Sequence, residues 1–233
     1  MKFIIPIIVS VAILGFYLVS DQQQQVDFAK EHAAILSSID QEVQHLESVE
    51  NSSRLLSDSL ILKIGSLCNR LQPTKVEDVS LGLVKKVSPE RGLLLSSLVS
   101  RQLNAATYQK IFKIATFEHS FLEDADLSNA SLDNILLNQS IFKNVNLSNA
   151  SLVKANLCKA HFKNVNLRAA NLNIANLREA NLDGSNLTKA NLKSAYMIEA
   201  KLEGIQIEGA IFDNANLAGV DLGDTARGLR NNN

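Results

Sequence analysis

The chain has 233 residues, a formal net charge of −1, 46% apolar residues and no Trp. That length allows two modest domains, and the near-neutral balance leaves no global basic or acidic bias to select a partner. Two cysteines, Cys68 and Cys158, lie far apart in sequence and make no disulfide framework, so each reads as a bystander thiol.

Residues 3–19 form an apolar run from Phe3 to Val19, broken only by Pro6, Ser10, Gly15 and Tyr17. At ~1.5 Å per residue it spans about 25 Å, slightly short of a ~30 Å hydrocarbon core but adequate with local thinning. No A-x-A-like cleavage site comes after it, and Leu18 and Val19 are bulky where a small residue is wanted. Residues 1–20 therefore read as an uncleaved transmembrane helix, with a cleaved signal peptide as the rival. Lys2 precedes the run, and Lys30 is the only base soon after it, beside Asp21, Asp27 and Glu31. The positive-inside rule then puts the amino terminus in the cytoplasm and the bulk of the chain outside.

Residues 21–114 read as an α-helical spacer and capping region. Val26, Ala29, Ala33, Leu36, Val43 and Leu46 give a loose heptad-like spacing, and Leu56, Leu60, Ile64, Leu67 and Leu71 give the next stripe. Thr74-Lys75-Val76-Glu77 is a capping-box pattern after Pro73. Ser88-Pro89 is an N-cap with Pro at the first helical position, leading into Leu93–Leu103.

Residues 115–224 repeat every five residues through twenty-two consecutive units. The cleanest stretch reads A-N-L-x-x, as in Ala170-Asn171-Leu172, Ala175-Asn176-Leu177 and Ala180-Asn181-Leu182. The centre of each unit is Leu in sixteen cases, Phe at Phe117, Phe142, Phe162 and Phe212, then Met197 and Ile207. A Leu every fifth residue of an α-helix would advance by about 140° and leave no buried stripe. Within a unit, the small residue and the Leu are two apart, which puts both on one side of a short extended segment. Repetition of that segment gives a solenoid whose coils stack at the ~4.8 Å spacing of paired strands. The remainder, Thr225–Asn233, is a short polar tail that reads as disordered.

This run resembles the pentapeptide-repeat proteins. The resemblance implies a right-handed, quadrilateral parallel β-helix with four units per coil, hence about five and a half coils. Residues twenty apart then stack: Phe142 on Phe162, Val145 on Val165, and an Asn146, Asn166, Asn186 column whose amides can bond rung to rung. Ser88-Pro89-Glu90-Arg91-Gly92, with three leucines after it, is similar to the segment preceding the repeats in some membrane-anchored bacterial members of the family. That resemblance and the positive-inside reading together give the expected location: single-pass in the bacterial inner membrane, with the repeats extracytoplasmic.

No catalytic or metal constellation emerges. His32, His45, His119 and His161 are scattered without metal spacing, and no G-x-S-x-G, P-loop or Rossmann pattern occurs. Neither a cofactor nor an enzymatic activity is expected. The outward residues carry more. One column runs Glu123, Lys143, Lys163, Asp183, Glu203, read as rung-to-rung charge pairing or, alternatively, as part of a basic girdle for an anionic partner. Phe121 and Ile141 occupy one outward column on adjacent rungs, with Leu136 on the neighbouring face. These three read as a docking site for the helical segment or for a foreign partner. Phe121, Leu136, Ile141, Lys143 and Lys163 are thus the candidate interaction surface.

The functional expectation is a membrane-anchored, non-enzymatic scaffold presenting a rigid solenoid to an unknown protein partner, with no direct nucleic-acid contact. The alternative, implied by the family, is a DNA mimic that binds a type II topoisomerase, as in quinolone resistance. Thirteen acids against nine bases in the repeat is a modest excess for such a mimic. Little chain remains after Leu222 to close the last coil, so a weak homodimer through the carboxy-terminal coil is also expected.

Overall fold

A computed structural model of the chain describes residues 22–47, 56–78 and 83–220. Helix α1 (Gln22–Glu47) and helix α2 (Asp58–Arg70) precede an antiparallel hairpin of β1 (Thr74–Asp78) and β2 (Leu83–Val87). Helices α3 (Pro89–Val99) and α4 (Ala105–Ile114) then lead into the repeats.

The second helical stripe is buried as its spacing predicts. Leu56, Leu60, Ile64, Leu67 and Leu71 all point inward, and Ser57 caps α2 by accepting from the Leu60 amide at 3.3 Å. In α1 the predicted stripe holds only in part: Leu36 and Val43 pack half-buried against the core, but the stripe's first half does not. Phe28, His32, Ile35 and Ile39 are buried, whereas Val26 is 46% exposed and Ala29 and Ala33 face solvent. Burial tracks area: a Phe and two Ile on one side remove far more apolar surface from water than a Val and two Ala on the other.

The capping-box pattern at Thr74–Glu77 forms a strand, not a helix start. A helix start needs an apolar stripe of helical period downstream. The chain offers two short extended segments in its place, with Val76 on one strand and Val84 and Val87 on the other.

The membrane placement is corrected. Among the described residues, no helix is long and apolar enough to cross a membrane. The longest, α1, carries Asp27, Lys30, Glu31, Asp40 and Glu42 along its length. The apolar run Phe3–Val19 and the tail Thr225–Asn233 lie outside the described residues.

The repeats form a parallel stack with a register of twenty residues. Bridges link Ser131 to Ser151, Asn171, Asn191 and Ile211 in one column, and Leu136 to Asn156, Asn176, Tyr196 and Asn216 in another. Leu172, Leu177, Leu182 and Leu187 are each fully buried on four successive faces of one coil. Their amides bond the next coil, as from Leu172 to the Asn191 carbonyl and Leu177 to the Tyr196 carbonyl, both at 2.7 Å. Phe142 and Phe162 stack with centroids 4.8 Å apart and planes 2° from parallel. Strands β3 (Phe121–Glu123), β4 (Ile141–Lys143) and β5 (His161–Lys163) are the longest extended pieces of this stack.

Each element of A-N-L-x-x has a job in the coil. In most units the carbonyl of the central residue accepts from the amide three residues on, as Ala130 to Leu127 at 3.2 Å, closing a tight turn. The residue before that donor has positive φ throughout, from His119 to Gly219. The Asn makes two bonds. Its Oδ1 accepts from the backbone two residues on (Asp183 to Asn181, 2.9 Å), and its Nδ2 donates to the rung before (Asn166 to Asn146, 3.1 Å). The small residue leaves room for the neighbouring core side chains at the corner; Ala150, Ala170 and Ala190 are all buried in one column.

Candidate interaction surfaces

The solenoid's first edge is closed by the segment Ser88–Gly92. Ser88 adds itself as a parallel rung above Ser120: its amide donates to the His119 carbonyl at 2.6 Å, and its carbonyl accepts from Phe121 at 3.2 Å. Its hydroxyl simultaneously caps α3 by accepting from the Arg91 amide at 3.3 Å, and Pro89 occupies the first turn. Arg91 is only 5% exposed. Its guanidinium donates to the carbonyl of Glu118 in the first coil at 2.7 Å and to that of Cys68 at the end of α2 at 3.3 Å. Burial lowers its pKa from the usual value, and the nearby Cys68, Glu118 and Glu90 oppose that effect.

The surrounding helices satisfy further groups of this edge. Asn69 donates to the Ile114 carbonyl at 2.7 Å and accepts from the Thr116 amide at 3.1 Å. Gln109 on α4 donates to the Asp133 carbonyl at 2.8 Å. Phe112 meets Phe117 edge-on at 5.9 Å. The Cys68 thiol donates to the Thr116 carbonyl at 2.8 Å, and burial pushes its pKa up to about 12, so it is an inert packing group.

The five predicted surface residues do not form one exposed patch. Phe121 and Ile141 pair on adjacent rungs, but Ile141 is 2% exposed and Phe121 half-buried. Leu136 is 37% exposed on the neighbouring face. Lys143 and Lys163 stack in register and are half-buried, with Lys143 paired to Glu123 at 2.7 Å. At the turn on the other side of the His161 column, Lys159 and Arg178 both pair with Glu179. Lys85 of β2 reaches this corner, donating to the Lys159 carbonyl at 3.3 Å. Burial, then the charges of Lys85 and Lys201, hold the His161 pKa down to about 4.

Two groups are not evident from residue spacing. At the Ser88–Gly92 junction the Ser88-Pro89 pair marks a helix start, but the extra rung and the Arg91 contacts leave no spacing signal. The large exposed side chains Ile174, Tyr196 and Ile211 belong to no apolar stripe, although each departs from its column. Asn precedes the core residue at 156, 176 and 216, but Tyr does at 196. Among the described residues, no three His, Cys, Asp or Glu side chains converge as a metal site.

A family profile described as a pentapeptide repeat region matches residues 115–192, and one described as pentapeptide repeats matches 175–214 and 195–225. No curated protein matches the chain. Among solved structures, the chain is similar to a pentapeptide repeat protein from the cyanobacterium Cyanothece 51142. The two are 39% identical, with a TM-score of 0.35, over 42% of this chain and 65% of that one. It is also similar to a pentapeptide repeat protein from Nostoc PCC 7120, at 29% identity and TM-score 0.38, covering 50% and 93% of the two chains. A plasmid-mediated fluoroquinolone resistance protein matches at 20% identity and TM-score 0.28, over 46% and 57%.

Proposed function

The chain belongs to the pentapeptide-repeat family through residues 115–225, and we propose that it is a non-enzymatic scaffold whose solenoid presents outward side chains to a protein partner. The observation that carries this reading is the twenty-residue register. It holds the outward positions in fixed columns by main-chain bonds between neighbouring coils, so a surface pattern is pre-organised before any partner arrives. Binding to such a surface loses little backbone entropy, the usual advantage of solenoid receptors.

A duplex-DNA mimic needs a continuous acidic stripe. Lys143 and Lys163 interrupt the Glu123–Glu203 column, and the coils between 147 and 194 carry acids only at Glu179 and Asp183. The scaffold reading is favoured on that ground. A weak homodimer through the last coil belongs to the same reading. It is supported by the half-buried Ile207, Phe212 and Leu217 in the last described coil.

The test is in-cell photocrosslinking with a benzophenone side chain placed at Asn156, Asn181, Asn166 or Asn171, one on each face of the full-length chain. A discrete protein adduct from at least one face is expected. No adduct from any of the four overturns the scaffold reading.

A further inference from the structure

One side of the solenoid combines two features: positive charge that pairs with no carboxylate among the described residues, and large side chains that the fold itself disfavours. The stretches 147–154, 167–174 and 187–194 stack on one another through the Ser151, Asn171, Asn191 column. They carry Lys154, Arg168, Lys189 and Lys193, all at least partly exposed, and no acid. The first carboxylates are Asp133 one rung before and Glu208 and Asp213 one rung after. Asp133 is already engaged with Ser151 and the Val153 amide. Elsewhere on the solenoid Lys143 is paired with Glu123, and Lys159 and Arg178 with Glu179, whereas among the described residues no carboxylate pairs with any of these four.

Ile174 lies between two of them. The Lys154 amide donates to the Asn173 carbonyl, and the Ile174 amide donates to the Lys193 carbonyl, both at 3.0 Å. Ile174 has φ +58° and is 37% exposed. A β-branched residue in the left-handed region is an outlier, and its column offers cheaper alternatives in Asn134, Ser194 and Asn214. Tyr196, 52% exposed, lies one coil further and around the same corner. Its neighbours Asn156, Asn176 and Asn216 each accept a bond from the backbone two residues on, and a tyrosine cannot. Local strain of this kind persists where surroundings or function require it. Neither is a core residue: Ile174 is 37% and Tyr196 52% exposed.

We propose that this face is the solenoid's protein-docking surface, and that its partner presents an acidic segment with one or two large apolar residues among its carboxylates. The proposal rests on the scaffold reading and assigns it a face and a partner chemistry. Ile174 and Tyr196 are the anchors, the large side chains that a partner would desolvate; the four bases form the rim that steers and orients an anionic partner. A nucleic-acid backbone fits less well, since phosphates have no use for an exposed Ile.

The experiment pans a phage-displayed library of random 16-residue peptides against the full chain. The strongest peptides are then titrated against variants. Ile174→Asn and Tyr196→Asn install residues that the repeat already uses at those positions, so folding is preserved. Lys154→Glu with Lys193→Glu reverses the rim, and Lys201→Glu is the control on another face. Selected peptides should be rich in Asp and Glu around aromatic or aliphatic residues. Their affinity should fall about tenfold or more in each face variant and change less than about twofold in the control. Peptides without acidic bias, or binding indifferent to the face variants, overturn this surface and leave the scaffold reading standing. No binder to any face sinks both. Tight binding of a 20-base-pair DNA duplex that Ile174→Asn and Tyr196→Asn leave unchanged would replace the protein partner with a phosphate backbone.

Discussion

Gly92 in α3 lies directly against the main chain of Phe121 in the first coil: a Cβ added to Gly92 would stand 2.0 Å from the Phe121 carbonyl oxygen. No side-chain rearrangement relieves such a contact, because the obstructing atom is backbone. The close approach lets Ser88 serve as the stack's extra rung and lets Arg91 reach the Glu118 carbonyl.

Gly92→Ala should therefore lift α3 from the first coil and destabilise the chain by roughly 3 kcal/mol or more. Gly184→Ala is the contrast: its Cβ meets nothing within 4 Å, and only its φ of +70° opposes the substitution. That change should cost about 1 kcal/mol. Urea unfolding of both variants, with hydrogen exchange at the Ser88 and Phe121 amides, separates the two. Equal small losses would mean that the junction is not tightly packed.

Much of this architecture is legible in the residues. The five-residue period fixes which positions face inward, and Leu172 through Leu187 are buried accordingly. The Phe142–Phe162 stack comes from the twenty-residue register and the α2 stripe from helical spacing. The register of α1 does not, because Val26-Ala29-Ala33 and Phe28-His32-Ile35-Ile39 both recur at helical period, and only the partner surface decides between them. The hairpin at Thr74–Val87 is hidden behind a capping pattern whose signal is local. Phe121, Leu136 and Ile141 can all be placed outward, but which of them becomes covered depends on segments distant in sequence. Ile174 and Tyr196 are detectable as departures from their columns, a signal visible once turn geometry gives each column its preferred residue.

Substitution of the strained anchor gives an opposite sign to most mutations. Ile174→Asn should stabilise the solenoid by about 0.5–1 kcal/mol, since Asn tolerates left-handed φ and Ile does not. Thermal or urea unfolding measures it directly. A destabilised variant would show that Ile174 contributes packing that its exposure does not suggest.

Within the core, Leu182→Asp should bury an unpaired charge among stacked leucines and cost several kcal/mol, enough to unfold the stack. Asn181→Asp, one residue away, keeps an oxygen for the Asp183 amide and should be nearly silent by circular dichroism melting. Matching mild effects at both positions would contradict the inward and outward assignment.

Acid should weaken the helical cap through His32. It is 8% exposed, stacks on Phe28 at 5.1 Å, and its Nε2 has no hydrogen-bond partner among the described residues. Burial, then the Arg101 charge, lowers its pKa from 6.5 to about 4. The folded state thus holds the ring neutral while the unfolded chain protonates it more readily. The stability is fully present above pH 6.5 and is lost as the pH falls toward 4, by about 3 kcal/mol over that window. His32→Phe should flatten the dependence in urea titrations at about pH 7 and about pH 4.5. An unchanged slope would assign the acid sensitivity elsewhere.

The last coil tests self-association. Phe212, Leu217 and Val220 are only half-buried, and Ile211 is 45% exposed on the last described rung of its column. An open parallel edge can pair with a second copy. Charge opposes this, since Asp213 lies on that coil and Asp221 and Asp224 come after it in sequence. Added salt should therefore strengthen association by screening like charges, the reverse of an interface held by ion pairs. Sedimentation of the fragment 21–233 at low and high salt should show a weak dimer that grows with salt. Ile211→Lys should diminish it at both salt concentrations. A strict monomer at high micromolar concentration under both conditions excludes the dimer and leaves the lateral faces as the solenoid's binding surfaces.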